Sequence, residues 1–111
     1  MSETEPADAF AIGAFEDDEL VAVGLIGPEG EPGAWRVRGM SALPAARGRG
    51  AGTAVLSALL DHARAAGAAS AWASVRIPAR TLYERAGFRP VSEEFDVPKL
   101  GPHVLMSRPL Q

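Results

Sequence analysis

The sequence predicts a single α/β domain with a mixed sheet, and three observations carry that expectation. A strand-like segment at residues 35–42 runs through a glycine-rich loop into the best helical pattern of the chain, then into another strand-like segment. Strand, loop, helix and strand make a crossover between parallel neighbours. Upstream, two apolar segments flank the acidic turn Glu16-Asp17-Asp18-Glu19, the pattern of an antiparallel hairpin. Finally, 111 residues allow one domain with one modest core, burying about 60% of the unfolded chain's surface.

The elements follow in order. Residues 1–8 are polar, with Glu3, Glu5 and Pro6, and read as a loosely held tail before a domain at residues 9–111. Residues 10–15 and 20–26 are the hairpin strands. Residues 27–33 hold three glycines and two prolines, which cannot sustain a ladder, so an exposed connection is expected. Along residues 35–42 a strict alternation places Trp35 and Val37 on one face and Arg36, Arg38, Met40 and Ala42 on the other. Those two arginines are either solvated strand charges or partners for acidic groups. Pro44 ends the strand.

Helical periodicity begins near Gly50, where Val55, Leu56, Leu59, Leu60 and Ala63 form one stripe and Asp61, His62 and Arg64 fall off it. Gly67 suits a left-handed cap, and residues 69–75 read as a buried strand. Pro78 fits the first turn of a second helix, on which Leu82, Tyr83 and Ala86 share a face and which Gly87 ends. Residues 88–91 and 103–108 are the last expected strands.

Composition excludes several classes. The net charge is −3 and the isoelectric point near 5.3, so neither a nucleic acid nor an anionic membrane is expected as a partner. There is no cysteine, hence no disulfide, thiolate nucleophile or sulfur metal site, and the two histidines lie far apart in sequence, so no metal is expected. The first residues lack the basic flank and apolar core of an export signal, and the apolar run at 20–26 is too short to span a bilayer, which points to the cytoplasm.

The loop Arg47-Gly48-Arg49-Gly50-Ala51-Gly52 has the composition of an anion cradle. Its glycines let backbone N–H groups turn inward, and the following helix directs unpaired N–H groups and its positive dipole end at the same place. A phosphate or diphosphate fits there. A Walker loop would need Lys before Thr53, and a dinucleotide fingerprint would need an acid at the end of the second strand, where residues 70–74 carry none. Arg-x-x-Gly-x-Gly, preceded by an extended segment, resembles the acyl-CoA-binding motif of the GNAT superfamily of N-acetyltransferases. Ala79-x-x-Leu82-Tyr83-x-x-x-Gly87-Phe88 resembles that superfamily's later segment, at the usual distance. Gly87-Phe88-x-Pro90-Val91-Ser92-Glu93, with Phe95, Gly101, His103 and Met106, is similar to the ElaA-like branch.

The resemblance implies a GNAT-like, mostly antiparallel mixed sheet and acetyl-CoA, or another acyl-CoA, as cosubstrate. It implies that the backbone of Met40, Ser41 and Ala42 meets the pantetheine arm and supplies an N–H to the oxyanion. The amides of Gly48, Arg49, Gly50, Ala51, Gly52 and Thr53 would hold the pyrophosphate, and the side chain of Arg47 or Arg49 would offer a charged partner. Tyr83 maps onto the family tyrosine, the acid that protonates the departing thiolate; packed as core, it would have no such role. With no cysteine to acylate, a small-molecule or peptide amine would attack the thioester directly.

The chain also departs from the family pattern. Arg76 stands where many relatives carry an asparagine that contacts the cofactor, and Ala71 where some carry a glutamate base. His103 and Glu93 are therefore the candidate bases, His103 because an imidazole near pKa 6.5 suits proton transfer. The family's first strand and two helices find no room before Phe10, which leaves the acceptor wall shortened. A non-catalytic acyl-CoA-binding module, or a subunit completed by a second chain, is the alternative, and apolar strands near an open beginning make a homodimer the expected assembly.

Overall fold

The structure, a computed structural model, describes residues 9–44 and 50–111; the tail expected at residues 1–8 and the loop residues Arg47, Gly48 and Arg49 lie outside them. The hairpin forms as expected. Strands β1 (Phe10–Glu16) and β2 (Glu19–Pro28) pair antiparallel around Asp17 and Asp18, whose φ angles are both positive at 51° and 69°. Two consecutive left-handed residues follow the right-handed twist of the strands, and aspartate tolerates that conformation better than most side chains. The ladder runs further than the glycines and prolines suggested, since Gly27 and Pro28 pair with Arg36 and Trp35. At the last residue of a strand, the donor that proline lacks costs the ladder little.

Strand β3 (Ala34–Ala42) leads to helix α1 (Ala51–Ala65) and strand β4 (Ser70–Arg76). A 3-10 turn (Ile77–Ala79) and helix α2 (Arg80–Arg85) follow. The chain closes with β5 (Arg89–Pro90), β6 (Phe95–Val97) and β7 (Gly101–Pro109). Sheet order is β1-β2-β3-β4-β7-β5, with β6 also paired to β7. Among the described strands only β3 and β4 run parallel, joined through α1, so the mixed sheet and its crossover match the expectation. The expected strand at residues 88–91 shrinks to two residues, and β6 has no counterpart in the sequence reading: its residues Phe95, Asp96 and Val97 are too few for a visible alternation.

The apolar stripe of α1 covers one sheet face, with Val55, Leu56, Leu59, Leu60 and Ala63 all buried. Gly24 lets the helix settle there. A Cβ at that position would stand 2.9 Å from Leu59 and Val55 side-chain atoms and 2.6 Å from the Met40 sulfur. Helix α2 lies on the same face, where Leu82 and Ala86 line a groove shared with Leu56 and Leu60. Neither helix covers the opposite face.

One expectation about side-chain direction is corrected. The alternation in β3 holds as far as Arg38 and then inverts, because Gly39 and Met40 together oppose Gly24 between the pairs Leu25↔Arg38 and Val23↔Ser41. Gly39 sits at φ 64°, which a residue without a Cβ adopts freely, and the extra residue makes a bulge. Met40 and Ala42 therefore join Trp35 and Val37 against the core instead of sharing the arginine face.

Candidate active site

The parallel pair β3 and β4 is short. Its register covers Ala34↔Ser70, Trp35↔Ala71 and Arg36↔Trp72 and stops there. Beyond it, β3 stays with β2 to Ala42, while β4 stays with β7 to Arg76. The sheet thus forks, and the two edges inside the fork carry backbone N–H and C=O groups with no strand partner. Such groups take water or a ligand. From Val37 to Ala42 the inner edge of the β3 arm has no strand partner among the described residues, and the bulge and Met40, Ser41 and Ala42 lie within this stretch.

Helix α1 begins beyond the β3 arm. Gly50, at φ 87°, is its N-cap, and the Ala54 N–H donates to the Gly50 carbonyl at 2.9 Å. No side chain caps this end and no acid occupies the first turn. The N–H groups of Ala51, Gly52 and Thr53 have no hydrogen-bond partner among the described residues. Free amides at a positive dipole end suit a phosphate group.

Tyr83 is held by the way α2 ends. Gly87, at φ 94°, follows the last turn; its N–H donates to the Glu84 carbonyl at 3.0 Å and the Phe88 N–H to the Tyr83 carbonyl at 3.0 Å. This pair of bonds is a Schellman cap, which places the side chain three residues before the cap against the one two residues after it. Those two are Tyr83 and Phe88, whose rings meet edge to face at 5.2 Å. The spacing Tyr-x-x-x-Gly-Phe is therefore a helix-ending device as well as a recognition motif. The same arrangement closes α1 at Gly67, with Ala68 donating to the Ala63 carbonyl at 2.9 Å.

Tyr83 is 5% exposed. Burial pushes its pKa up to about 12, so it remains a proton donor throughout the neutral range. It is the sole tyrosine of the sequence, and ultraviolet absorbance of tyrosinate reports it alone. We expect a midpoint near pH 12 in the folded protein. Because the folded value lies above the unfolded one near 10, the stability linked to this proton is intact below pH 10 and lost as pH rises through 12, on the order of 2–3 kcal/mol. A folded-state midpoint near 10 would contradict the burial.

His103 sits on β7 opposite Arg76 and Phe95, on the face away from the helices. It is 6% exposed, its ring centroid 6.1 Å from that of Phe95. Its Nδ1 lies 3.0 Å from the Gly101 carbonyl, an acceptor only, so Nδ1 is the donor in this bond. Tyr83 and His103 belong to opposite faces of the sheet and form no pair with each other. Glu93 is exposed in the segment between β5 and β6, and Arg76 is exposed at the end of the β4 arm. Ala71 is fully buried beneath the helices, where no side chain reaches the open face.

A cluster on the open face was not legible beforehand. Glu29, placed in the connection by the sequence, bridges both strand arginines: its Oε2 accepts from Arg36 Nη1 at 2.9 Å, and its Oε1 accepts from Nε and one Nη of Arg38. The hydrogen bond from Arg38, opposed by partial desolvation and aided by Arg36, holds the Glu29 carboxyl below the usual carboxylate range. The only advance signal was the Arg-x-Arg pair on one strand face.

The mixed sheet, its one described parallel pair opened into a fork and joined through α1, defines the class, an α/β fold. The chain belongs to the acetyltransferase (GNAT) family, whose profile matches residues 2–88. It is 27% identical over 108 residues to YitI, an uncharacterised N-acetyltransferase of Bacillus subtilis (strain 168), covering 93% of this chain and 72% of that one. An N-acetyltransferase fold from Lactobacillus plantarum superposes with TM-score 0.76 at 23% identity, over 86% of this chain and 64% of that one. An aminoglycoside 6′-N-acetyltransferase solved with coenzyme A superposes with TM-score 0.81 at 15% identity, over 95% and 74%. This chain thus spans under two thirds of the Lactobacillus protein. Among the described residues, no helix is long and apolar enough to cross a membrane, and no three His, Cys, Asp or Glu side chains converge on a metal position.

Proposed function

We propose that this chain is an acyl-CoA-dependent N-acyltransferase that passes acetyl from acetyl-CoA to a primary amine by direct attack. The observation that carries this reading is the fork between β3 and β4, which opens beside a helix start whose first amides are uncommitted among the described residues. An acyl-CoA is long, has amide groups along its arm and ends in phosphates. The free edge at Met40, Ser41 and Ala42 can pair with the arm, and the amides of Ala51, Gly52 and Thr53 can take the diphosphate. The coenzyme A held by the aminoglycoside acetyltransferase of the same fold supports the choice of ligand.

In the reaction, the amine nitrogen attacks the thioester carbonyl, and a β3 backbone N–H in the bulged arm receives the charge that builds on oxygen. The carbon–sulfur bond breaks, sulfur leaves with the electron pair, and the Tyr83 hydroxyl donates to it. The proton lost by the amine goes to a base, the role we assign to His103, whose Nδ1 is held by the Gly101 carbonyl. With no cysteine in the chain there is no thiol to carry an acyl group between the two substrates.

Ligand binding is the direct test. Acetyl-CoA at 100 times its dissociation constant is expected to stabilise the fold by about 2.7 kcal/mol, raising Tm by several degrees, and desulfo-CoA nearly as much. Thiol release with a panel of amines then reads turnover. No Tm change with either ligand at millimolar concentration would reject the cradle.

A further inference from the structure

The open face at the root of the fork carries charge that the transfer step does not use. Arg36 and Arg38 on β3 share this face with Trp72, Ser74 and Arg76 on β4. The chain as a whole is acidic at −3, yet among the described residues the one carboxylate that enters this group is Glu29, spread over Arg36 and Arg38. Arg76 has no ion-pair partner among the described residues. Arg36 and Arg38 against the single Glu29 leave the root of the fork with excess positive charge, and Arg76 stands further out at the end of the β4 arm.

The cluster is also rigidly framed. The Trp72 indole N–H donates to the Glu29 carbonyl at 2.8 Å, and the Arg36 guanidinium lies 4.7 Å above the indole ring. Arg36 Nε is buried without a partner. With Glu29 fixed from the backbone and from Arg36, Arg38 is fixed in turn through two N–H groups on one carboxylate oxygen. Its side chain nevertheless stays 52% exposed, and its remaining N–H donors are uncommitted among the described residues. A guanidinium held still, half in water and with free donors suits a planar anion.

We propose that the acceptor amine carries a carboxylate and that Arg38 binds it, with Glu29, Arg36 and Trp72 as the frame and Arg76 adding to the field. This deepens the N-acyltransferase reading and rests on it, naming the substrate class of the same site. It also separates this chain from the aminoglycoside acetyltransferase that shares its fold. An aminoglycoside brings several ammonium groups, and placing them beside these guanidiniums is unfavourable.

The test is a matched panel in which each α-amino acid is offered beside its carboxamide, with acetyl-CoA saturating and thiol release as the readout. Wild type is expected to favour the carboxylate member by at least about tenfold in kcat/KM, and Arg38→Gln to collapse that preference through a raised acceptor KM. Arg38→Lys should recover part of it. The acetyl-CoA-induced rise in Tm should persist in both variants. Equal use of acids and amides by wild type, or an unchanged ratio in Arg38→Gln, overturns the proposal while leaving the transferase reading in place. Should acetyl-CoA fail to raise Tm, the transferase reading falls, and titration of the free protein with the same amino acids decides the anion site through tryptophan fluorescence. A saturable change that Arg38→Gln abolishes supports it, and no change in wild type overturns it.

Discussion

Tyr83→Phe is expected to slow acetyl transfer by about 10²-fold, the low end of the 10²–10⁴ range for a lost general acid. The reason for the low end is the burial that makes the residue a secure donor. A phenol near pKa 12 facing a thiolate near 8.5 transfers its proton uphill, so its contribution is a hydrogen bond that strengthens as charge builds on sulfur. The substitution removes one hydroxyl and keeps the edge-to-face contact with Phe88. Tm and the acetyl-CoA dissociation constant should therefore hardly move, while kcat and kcat/KM fall together. Wild-type kcat in the variant, measured by thiol release, would make Tyr83 a packing residue and leave water to protonate sulfur.

Phe88→Ala is expected to give the largest loss of stability, about 3–5 kcal/mol. Phe88 is 2% exposed and is the residue that the α2 cap sets against Tyr83. Against a total stability of about 5–15 kcal/mol for a domain of this size, that lowers Tm by on the order of 15 °C. The loss is also expected to reach function, because without the Phe88 ring the Tyr83 phenol loses a wall of its site. Chemical denaturation of Phe88→Ala against wild type measures the first effect, and tyrosinate titration measures the second as a midpoint moved from about 12 toward 10. A cost below about 1 kcal/mol would mean that the cap holds the helix end without its aromatic contact.

Comparison of Phe88 with Tyr83 shows why a motif and its physics answer different questions. Gly87 between them was legible as a helix stop, and the spaced pair of motifs was legible as a family resemblance. That the stop is a cap which brings the two rings together requires the backbone geometry. Likewise Arg36 and Arg38 were visible on one strand face, but the carboxylate between them comes from Glu29, seven and nine residues away across a chain reversal.

What the sequence determined by itself was everything written in short-range spacing: the hairpin around Asp17 and Asp18, the crossover from β3 through α1 to β4, both glycine stops, and the apolar stripe of α1. Each is a repeat or a turn that a few neighbouring residues impose. Tertiary structure decided the rest. The bulge at Gly39 inverts the face of Met40 and Ala42 because two residues there must match one on β2, a mismatch between strands that neither strand shows alone. The fork opens after Arg36 and Trp72 because β3 and β4 each keep a partner on the outer side, and pairing between distant segments leaves no periodic trace in either.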